Sequence, residues 1–503
     1  MSTLFSILEM SRRSMQTHQA AIQTNQQNVS NAGNRAYHRQ VPIISTTESI
    51  EHRGLSGLGR TIHLGTGSAL ARLDRKRDVF IETQIRYADQ RLNQLEEEQK
   101  GIQQIEIIFN SLSEDNFNST VSDFFNAWET LAQDPTDSAF RAEVRTKAQA
   151  VAGDLRGFYA DLEELQPTFA EDIKIRVDRV NSLLRQLSVI HEDISSVAEP
   201  TEAANLLDLR DELVGEIAQL VDVRVIEQDN GTVMIMLDGN PLIQETEVNE
   251  LKVIPKKPLD GAMDTTTAIS EQLVDVVLKQ PGQTRDVTIR GGAIAGLLRM
   301  QDEIIPQTLK NLDRFAYTFV RQINSVHQSG RGLTGSNGQS LFQFNLPDAN
   351  GTVSYGTDET APPESQPPSR VAATIKMAPE VAGNLNLIAT AKGTARGENE
   401  NALEMVSLQN ALFFEEGTLS FTDFYNTSVA SLGGLSDENE RRVNTTQLVR
   451  DQLEARWQSV SGVSLDEELV TMMQYQSIFE AAARMMSTID QMTDTVINRM
   501  APR

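Results

Sequence analysis

Between residues 464 and 500 an apolar side chain returns at every third or fourth position, and no glycine or proline interrupts the run. Tyr475, Ile478, Ala482, Met485, Ile489, Met492, Val496 and Met500 carry the repeat, and Leu469 and Met472 extend it backward. These steps give the narrow seam of a coiled coil rather than the broad stripe of a globular helix. At 1.5 Å per residue the helix would run roughly 50 Å. Ser464 and Glu467 have the spacing of a capping box, and Asp466, Glu467 and Glu468 place negative charge on the positive end of the helix dipole. A seam of this length requires a partner.

The other end of the chain offers one. Leu8, Met15, Ile22 and Val29 fall at intervals of seven, preceded by Leu4, while the intervening seam positions Ser11, His18 and Asn25 are polar. A helix with half a seam is marginal in water, so residues 2–31 are expected to fold only when covered. Residues 1–77 hold ten Lys/Arg against four Asp/Glu, and residues 462–503 hold three Arg against six Asp/Glu. A net +6 therefore faces a net −3, and the ends attract, within one chain or between copies. The whole chain carries −25, which argues against a nucleic-acid partner. Apolar runs such as 233–237 fall far short of the ~18 residues of a membrane span. Arg12 and Arg13 are not followed by the apolar stretch of a cleavable signal. Absence of cysteine excludes disulfides and thiolate metal sites.

Between the ends the hydrophobic period changes twice. Ile81, Ile85, Ala88, Leu92 and Leu95 begin a helical block that runs past Ile102. Phe124 to Pro135, a seam from Ile173 to Ile194, and 203–220 continue it. From Val221 the pattern becomes strand-like, with Asp229-Asn-Gly231 and Asp238-Gly239 as hairpin turns. Helical stripes resume at Leu309–Val326 and again over 399–413, 421–431 and 437–460, while 371–376 reads as a strand. Prolines 362, 363, 367 and 368 mark 358–369 as a surface excursion. The implied class is α+β, mainly α. Residues 1–40 and 462–503 form a terminal coiled-coil assembly domain, with 41–73 a linker or small hairpin. Residues 74–220, 291–327 and 398–461 form an elongated helical body, and 221–290 with 328–397 an inserted β-rich outer domain.

No catalytic chemistry emerges. His191-Glu lacks a second zinc-binding histidine because position 195 is serine, and its place on a helical seam predicts a hydrogen-bonded structural histidine. Gly57-Leu-Gly59 and Gly65-Thr-Gly67 lack the rest of a nucleotide loop, and no Gly-x-Ser-x-Gly elbow occurs. No catalytic, cofactor-binding or metal-binding residue is nominated, and no cofactor. The five methionines at or near the C-terminal seam (472, 473, 485, 486 and 492) suit a surface that packs on more than one partner.

Several segments resemble one family. Asn28-Val-Ser-Asn-Ala-Gly-Asn-Arg-Ala-Tyr-His-Arg-Gln40 is similar to the N-terminal signature of the bacterial flagellar axial proteins, the rod, hook and hook-associated subunits. Asn34-Arg35-Ala36 stands where those proteins commonly carry a Thr-Pro-Gly-like turn. Phe125-Asn-Ala-Trp-Glu-Thr-Leu-Ala132, Ala204-Asn-Leu-Leu-Asp-Leu-Arg-Asp-Glu-Leu213 and Ser461-Gly-Val-Ser-Leu-Asp-Glu-Glu468 look like its hook-associated branch. Tyr475-Gln-Ser-Ile-Phe-Glu-Ala-Ala-Ala-Arg484 matches the shared C-terminal pattern. The resemblance implies a non-enzymatic structural subunit at the hook–filament junction. It implies secretion through the flagellar export channel and self-assembly into a ring. Hook protein and hook-associated protein 3 would be the neighbours, and a cytoplasmic export chaperone would hold the C-terminal helix. Tyr37, Arg39 and Gln40 would join the seam residues in the assembly interface. Another axial subunit (hook or distal rod) is the nearest alternative, and a flagellum-associated wall hydrolase a remoter one.

Overall fold

The computed structural model describes residues 2–53, 61–110, 117–197, 203–256, 273–280, 282–345, 352–353, 367–395 and 397–495. The side chain of Leu4, the seam positions Val496 and Met500, and most of the proline-rich excursion lie outside them.

Helix α1 spans Ser2–Ser30, followed by strands β1 (Gln40–Thr46), β2 (Ile50–Arg53), β3 (Thr61–Leu64) and β4 (Ser68–Arg75). Helices α2 (Val79–Asn110), α3 (Phe117–Gln133), α4 (Ser138–Ser196) and α5 (Ala204–Leu220) come next. Seven strands follow: β5 (Arg224–Glu227), β6 (Val233–Leu237), β7 (Asn240–Gln244), β8 (Glu247–Val248), β9 (Glu250–Pro255), β10 (Val274–Gln280) and β11 (Gln283–Asp286). Helix α6 (Gly292–Arg299) passes through a π turn, Met300–Ile304, into α7 (Ile305–Ser329). Strands β12 (Phe342–Asn345) and β13 (Thr352–Val353) precede α8 (Val371–Thr374), β14 (Lys376–Met377) and α9 (Pro379–Gly383). Helices α10 (Glu400–Ser407), α11 (Phe421–Ser461) and α12 (Leu465–Asp494) complete the chain. The fold is mainly α with small sheets, as expected.

Two compact units emerge, each assembled from separated segments. The first comprises Met1–Arg91, Val180–Glu250 and Thr446–Arg503. Its β1 and β4 pair antiparallel from Gln40↔Arg75 to Thr46↔Ser68, and β2 and β3 pair from Ile50↔Leu64 to Arg53↔Thr61. The described parts of 41–73 thus form two antiparallel strand pairs. Helix α1 lies against the first: the Thr17 hydroxyl donates to the Ser68 carbonyl at 3.1 Å. Gly67 suits the position beside it because its φ of +111° is one that L side chains rarely adopt, and a Cβ there would also crowd Met10 Cγ at 3.2 Å. Strands β5–β8 form a meander whose Asp238-Gly239 turn has both φ angles positive, as a two-residue hairpin requires. His191 holds this sheet to α4. Its Nδ1 donates to the Glu245 carbonyl at 2.6 Å and its Nε2 accepts from Val233 N, the structural role its place on the seam predicted.

The second unit comprises Leu92–Arg179 and Leu251–Thr445. Phe124, Phe125 and Trp128 on α3 meet Phe319 on α7, Phe342 on β12 and Phe421 on α11 in one aromatic core. Buried polar side chains fasten its irregular segments. Asn324 accepts from Leu341 N and Phe342 N and donates to Phe342 O. His327 donates through Nδ1 to the Gln339 carbonyl and accepts at Nε2 from Ala389 N.

Two local expectations change. Residues 371–376 are not a strand. The Asp313 carboxylate accepts from Arg370 N and Ala372 N at 2.8 Å each, which turns the chain into the single helical turn α8 and leaves only Lys376–Met377 to pair with β12. Helix α11 does not break at Gly433-Gly434. Asn439 donates to the Leu95 carbonyl and Gln99 to Ser436, so packing on α2 outweighs the poor helix propensity of two glycines. Among the described residues of 221–290, β5–β8 form a four-stranded sheet and β9–β11 a three-stranded one.

Candidate assembly site

Helices α1 and α12 pack along each other in the first unit. Asn25 Nδ2 donates to the Glu468 carbonyl at 3.2 Å, and the His18 ring meets Tyr475 edge-on at 5.9 Å between centroids. A step of minus seven on α1 matches plus seven on α12, so the pair is antiparallel.

The face that α12 turns to α1 carries Glu468, Met472, Tyr475, Phe479, Ala482, Met486 and Ile489, all buried or half-buried. Four of the nominated residues, Met472, Tyr475, Ala482 and Ile489, fall in this seam. Leu469, Ile478, Met485 and Met492 do not; they are 46%, 44%, 55% and 52% exposed and flank it. The two sets differ by one residue per heptad, and burial of Glu468 selects between them.

On α1 the outcome reverses the apolar reading. Leu8, Met15, Ile22 and Val29 are half-buried, whereas Ser11, His18, Ala21, Asn25 and Asn28 are buried. The polar heptad sits in the seam because it has partners there. Asn28 Oδ1 accepts from the Tyr37 hydroxyl at 2.7 Å and from Gln40 N at 3.0 Å. Its Nδ2 donates to the Gln40 carbonyl at 2.9 Å and to Glu468 Oε2 at 3.0 Å, so one side chain makes four hydrogen bonds. Glu468, 2% exposed, would be costly to bury alone. Arg39 answers its charge, donating through Nε at 2.6 Å and through Nη1 to Glu467 at 2.8 Å, while Arg39 N donates to the Ser461 carbonyl. Glu467 is thereby drawn away from the capping box, and Ser464 caps α12 with no side-chain bond.

Tyr37, Arg39 and Gln40 therefore come together at the root of the helix pair. Asn25, Asn28 and Glu468 were the residues that apolar periodicity could not nominate. Their signal was available: polar groups at regular seam positions opposite a buried acid specify register in coiled coils.

Among the described residues one group has metal-ligand spacing, His38, Glu82 and Asp211, whose donor atoms lie within 4.8 Å of one another. Each of these groups is already met by an arginine of the chain. Arg75 Nη2 lies 2.5 Å from Asp208, 2.8 Å from Asp211 and 3.0 Å from His38 Nδ1. Arg77 holds Glu82 at 2.6 Å. The cluster is an ion-pair hub.

Residues 102–342 match the family described as flagellar hook-associated protein FlgK helical domain. Residues 457–500 match the flagellar basal body rod FlgEFG protein C-terminal family. Flagellar hook-associated protein 1 of Bacillus subtilis is 25% identical over 99% of this chain and 99% of its own length. The Escherichia coli protein of the same name is 23% identical over 95% and 97%. The solved flagellar hook junction protein FlgK from Burkholderia pseudomallei shares the fold, with a TM-score of 0.62 and 16% identity over 75% of this chain and 100% of that one.

Proposed function

This chain belongs to the flagellar hook-associated protein 1 family of bacterial flagellar axial proteins, and from that premise we propose how its terminal helices serve assembly. It is a structural subunit of the flagellum at the junction between hook and filament. Neighbouring copies meet through what the α1–α12 pair leaves uncovered. That pair closes within one chain on a polar seam, while Ile478, Met485 and Met492 remain exposed at successive heptads and Leu8, Met15 and Ile22 are only half covered. This uncovered apolar stripe is the observation that carries the reading, because lateral contact between copies in a ring would bury it. Leu469, 46% exposed, extends the same surface; Val496, Met500 and the side chain of Leu4, nominated from the sequence for the same interface, lie outside the described residues.

The remaining roles follow from family membership. Hook protein on one side and hook-associated protein 3 on the other are the expected neighbours, with a chaperone covering the C-terminal helix before secretion to the cell exterior. The helical segments pack laterally and the β-rich segments face outward. The work is mechanical rather than catalytic, in keeping with buried and half-buried carboxylates that are tied to arginines: Glu82 to Arg77, Asp211 to Arg75 and Glu468 to Arg39.

The test is substitution on the exposed stripe. Ile478→Asp with Met485→Asp should leave the melting transition and monomer fold unchanged, yet abolish self-association of purified protein and its incorporation at the hook tip. Normal assembly by the double variant would refute the reading.

A further inference from the structure

Five segments of the first unit converge on His38, which lies between α1 and β1 and is 4% exposed. Arg75 reaches it from β4, and Arg77 stands just before α2. Glu82 and Arg86 belong to α2, and Asp208, Asp211 and Arg210 to α5, with Glu227 of β5 bound to both Arg77 and Arg210. From α11 the Trp457 indole meets the imidazole edge-on at 5.4 Å. A cavity of about 380 Å³, bordered by His38, Glu82 and Asp211 together with Arg35, Arg450 and Glu454, gives protons a route to the ring.

Hydrogen counting fixes the state of this hub. Arg75 Nη2 carries two hydrogens but has three neighbours in range, Asp208 Oδ1, Asp211 Oδ2 and His38 Nδ1. Both hydrogens are satisfied by the two carboxylates, so His38 Nδ1 must supply its own proton, donated to Asp208 Oδ1 at 2.8 Å. Nε2 donates to Glu82 Oε1 at 3.2 Å. Asp208 has no alternative, since its Oδ2 is buried without a partner. The arrangement fits an imidazolium. If one proton is lost it leaves from Nε2, since Arg75 has no hydrogen to spare for Nδ1; the bare Nε2 then faces the Glu82 carboxylate, and the hold on α2 is gone.

We propose that His38 is a proton-operated latch. Doubly protonated, it ties the segment leading out of α1 to α2 and α5; singly protonated, it lets that segment loosen. The next two residues, Arg39 and Gln40, root the α1–α12 pair on Glu468 and Asn28, so the latch controls how firmly the pair is seated. Burial pulls the imidazole pKa down, but the hydrogen bonds it donates to Asp208 and Glu82 outweigh burial and the Arg75 charge, and the balance lies above the ordinary value. The latch is independent of the assembly surface proposed above.

Trp457 reports the state directly, because a protonated imidazole quenches an adjacent indole. In the full chain carrying Trp128→Phe, Trp457 is the sole tryptophan. Its emission should rise on titration from about pH 5 to pH 9, in one transition centred above 6.5. Amide exchange at Arg39 and Gln40, corrected for the intrinsic pH dependence of exchange, should quicken about tenfold across the same transition. His38→Gln should abolish the transition and hold exchange at its fast limit throughout. Asp208→Asn, which keeps the shape and removes the charge, should lower the midpoint by about one unit. A transition that survives His38→Gln, a midpoint at or below 6.5, or exchange that ignores the transition would each overturn the latch.

Discussion

Asn28 shows how one side chain can organise the end of a helix. Its amide satisfies the Tyr37 hydroxyl, both backbone groups of Gln40 and the Glu468 carboxylate. Asn28→Ala would leave those groups buried without partners, at a cost of about 2–3 kcal/mol. It should appear as faster amide exchange at Gln40 and earlier tryptic cleavage after Arg39, with the aromatic core of the second unit unaffected. His327 makes a different statement. Burial pushes its pKa from 6.5 down to about 4, partly offset by the Gln339 carbonyl. The unfolded chain then binds the proton more readily than the folded one. Stability from this residue is complete above pH 6.5 and is lost as pH falls toward about 4. The full loss is on the order of 3 kcal/mol. Denaturation midpoints measured from neutral pH downward should show this decline, and His327→Gln should flatten it. His38 has the opposite sign: its raised pKa adds stability below 6.5 that is lost as pH rises through the folded value.

At the scale of elements, close approach rather than propensity explains several glycines. Helix α6 crosses α2 so tightly that a Cβ on Gly296 would sit 2.5 Å from the Gln94 carbonyl oxygen. Gly296→Ala should therefore destabilise by about 2 kcal/mol. Gly153→Ala on α4, where a Cβ meets nothing within 4 Å, should stabilise by about 0.5–1 kcal/mol. Thermal melts of the two variants should move in opposite directions. Elements with a strong period were legible in the sequence: the helical seam through Ile173–Ile194, the β6–β7 turn at Asp238-Gly239 and the long C-terminal helix. What was not legible depended on partners distant in the chain. Asp313 curls 371–374 into a helical turn, and α2 carries α11 straight through two glycines. Neither effect leaves a local trace.

For the molecule as a whole, the two ends do meet, and they meet within one chain. Among the described residues their opposite charges meet where Arg39 faces Glu467 and Glu468. Family, class and the terminal pairing could be read from residues alone. Which face each terminal helix commits to could not, because a 3–4 apolar repeat does not reveal that a polar heptad beside it has partners waiting.

The antiparallel register has a practical consequence. Counting one heptad outward from His18–Tyr475 brings Ser11 opposite Ala482, both buried, in a chain that contains no cysteine. Cysteines at these two positions would be the sole thiols, and air oxidation should staple the helices covalently without shuffling. Stapled and reduced forms should polymerise equally well, since copies would meet on the outer stripe; a stapled chain that cannot polymerise would mean the helices exchange partners between subunits. The same register sets the Ser2 end of α1 beside the Asp494 end of α12. Dyes attached near the two ends of the helix pair should therefore transfer energy efficiently in an isolated subunit, giving a ruler for whether the pair stays closed when copies associate as proposed.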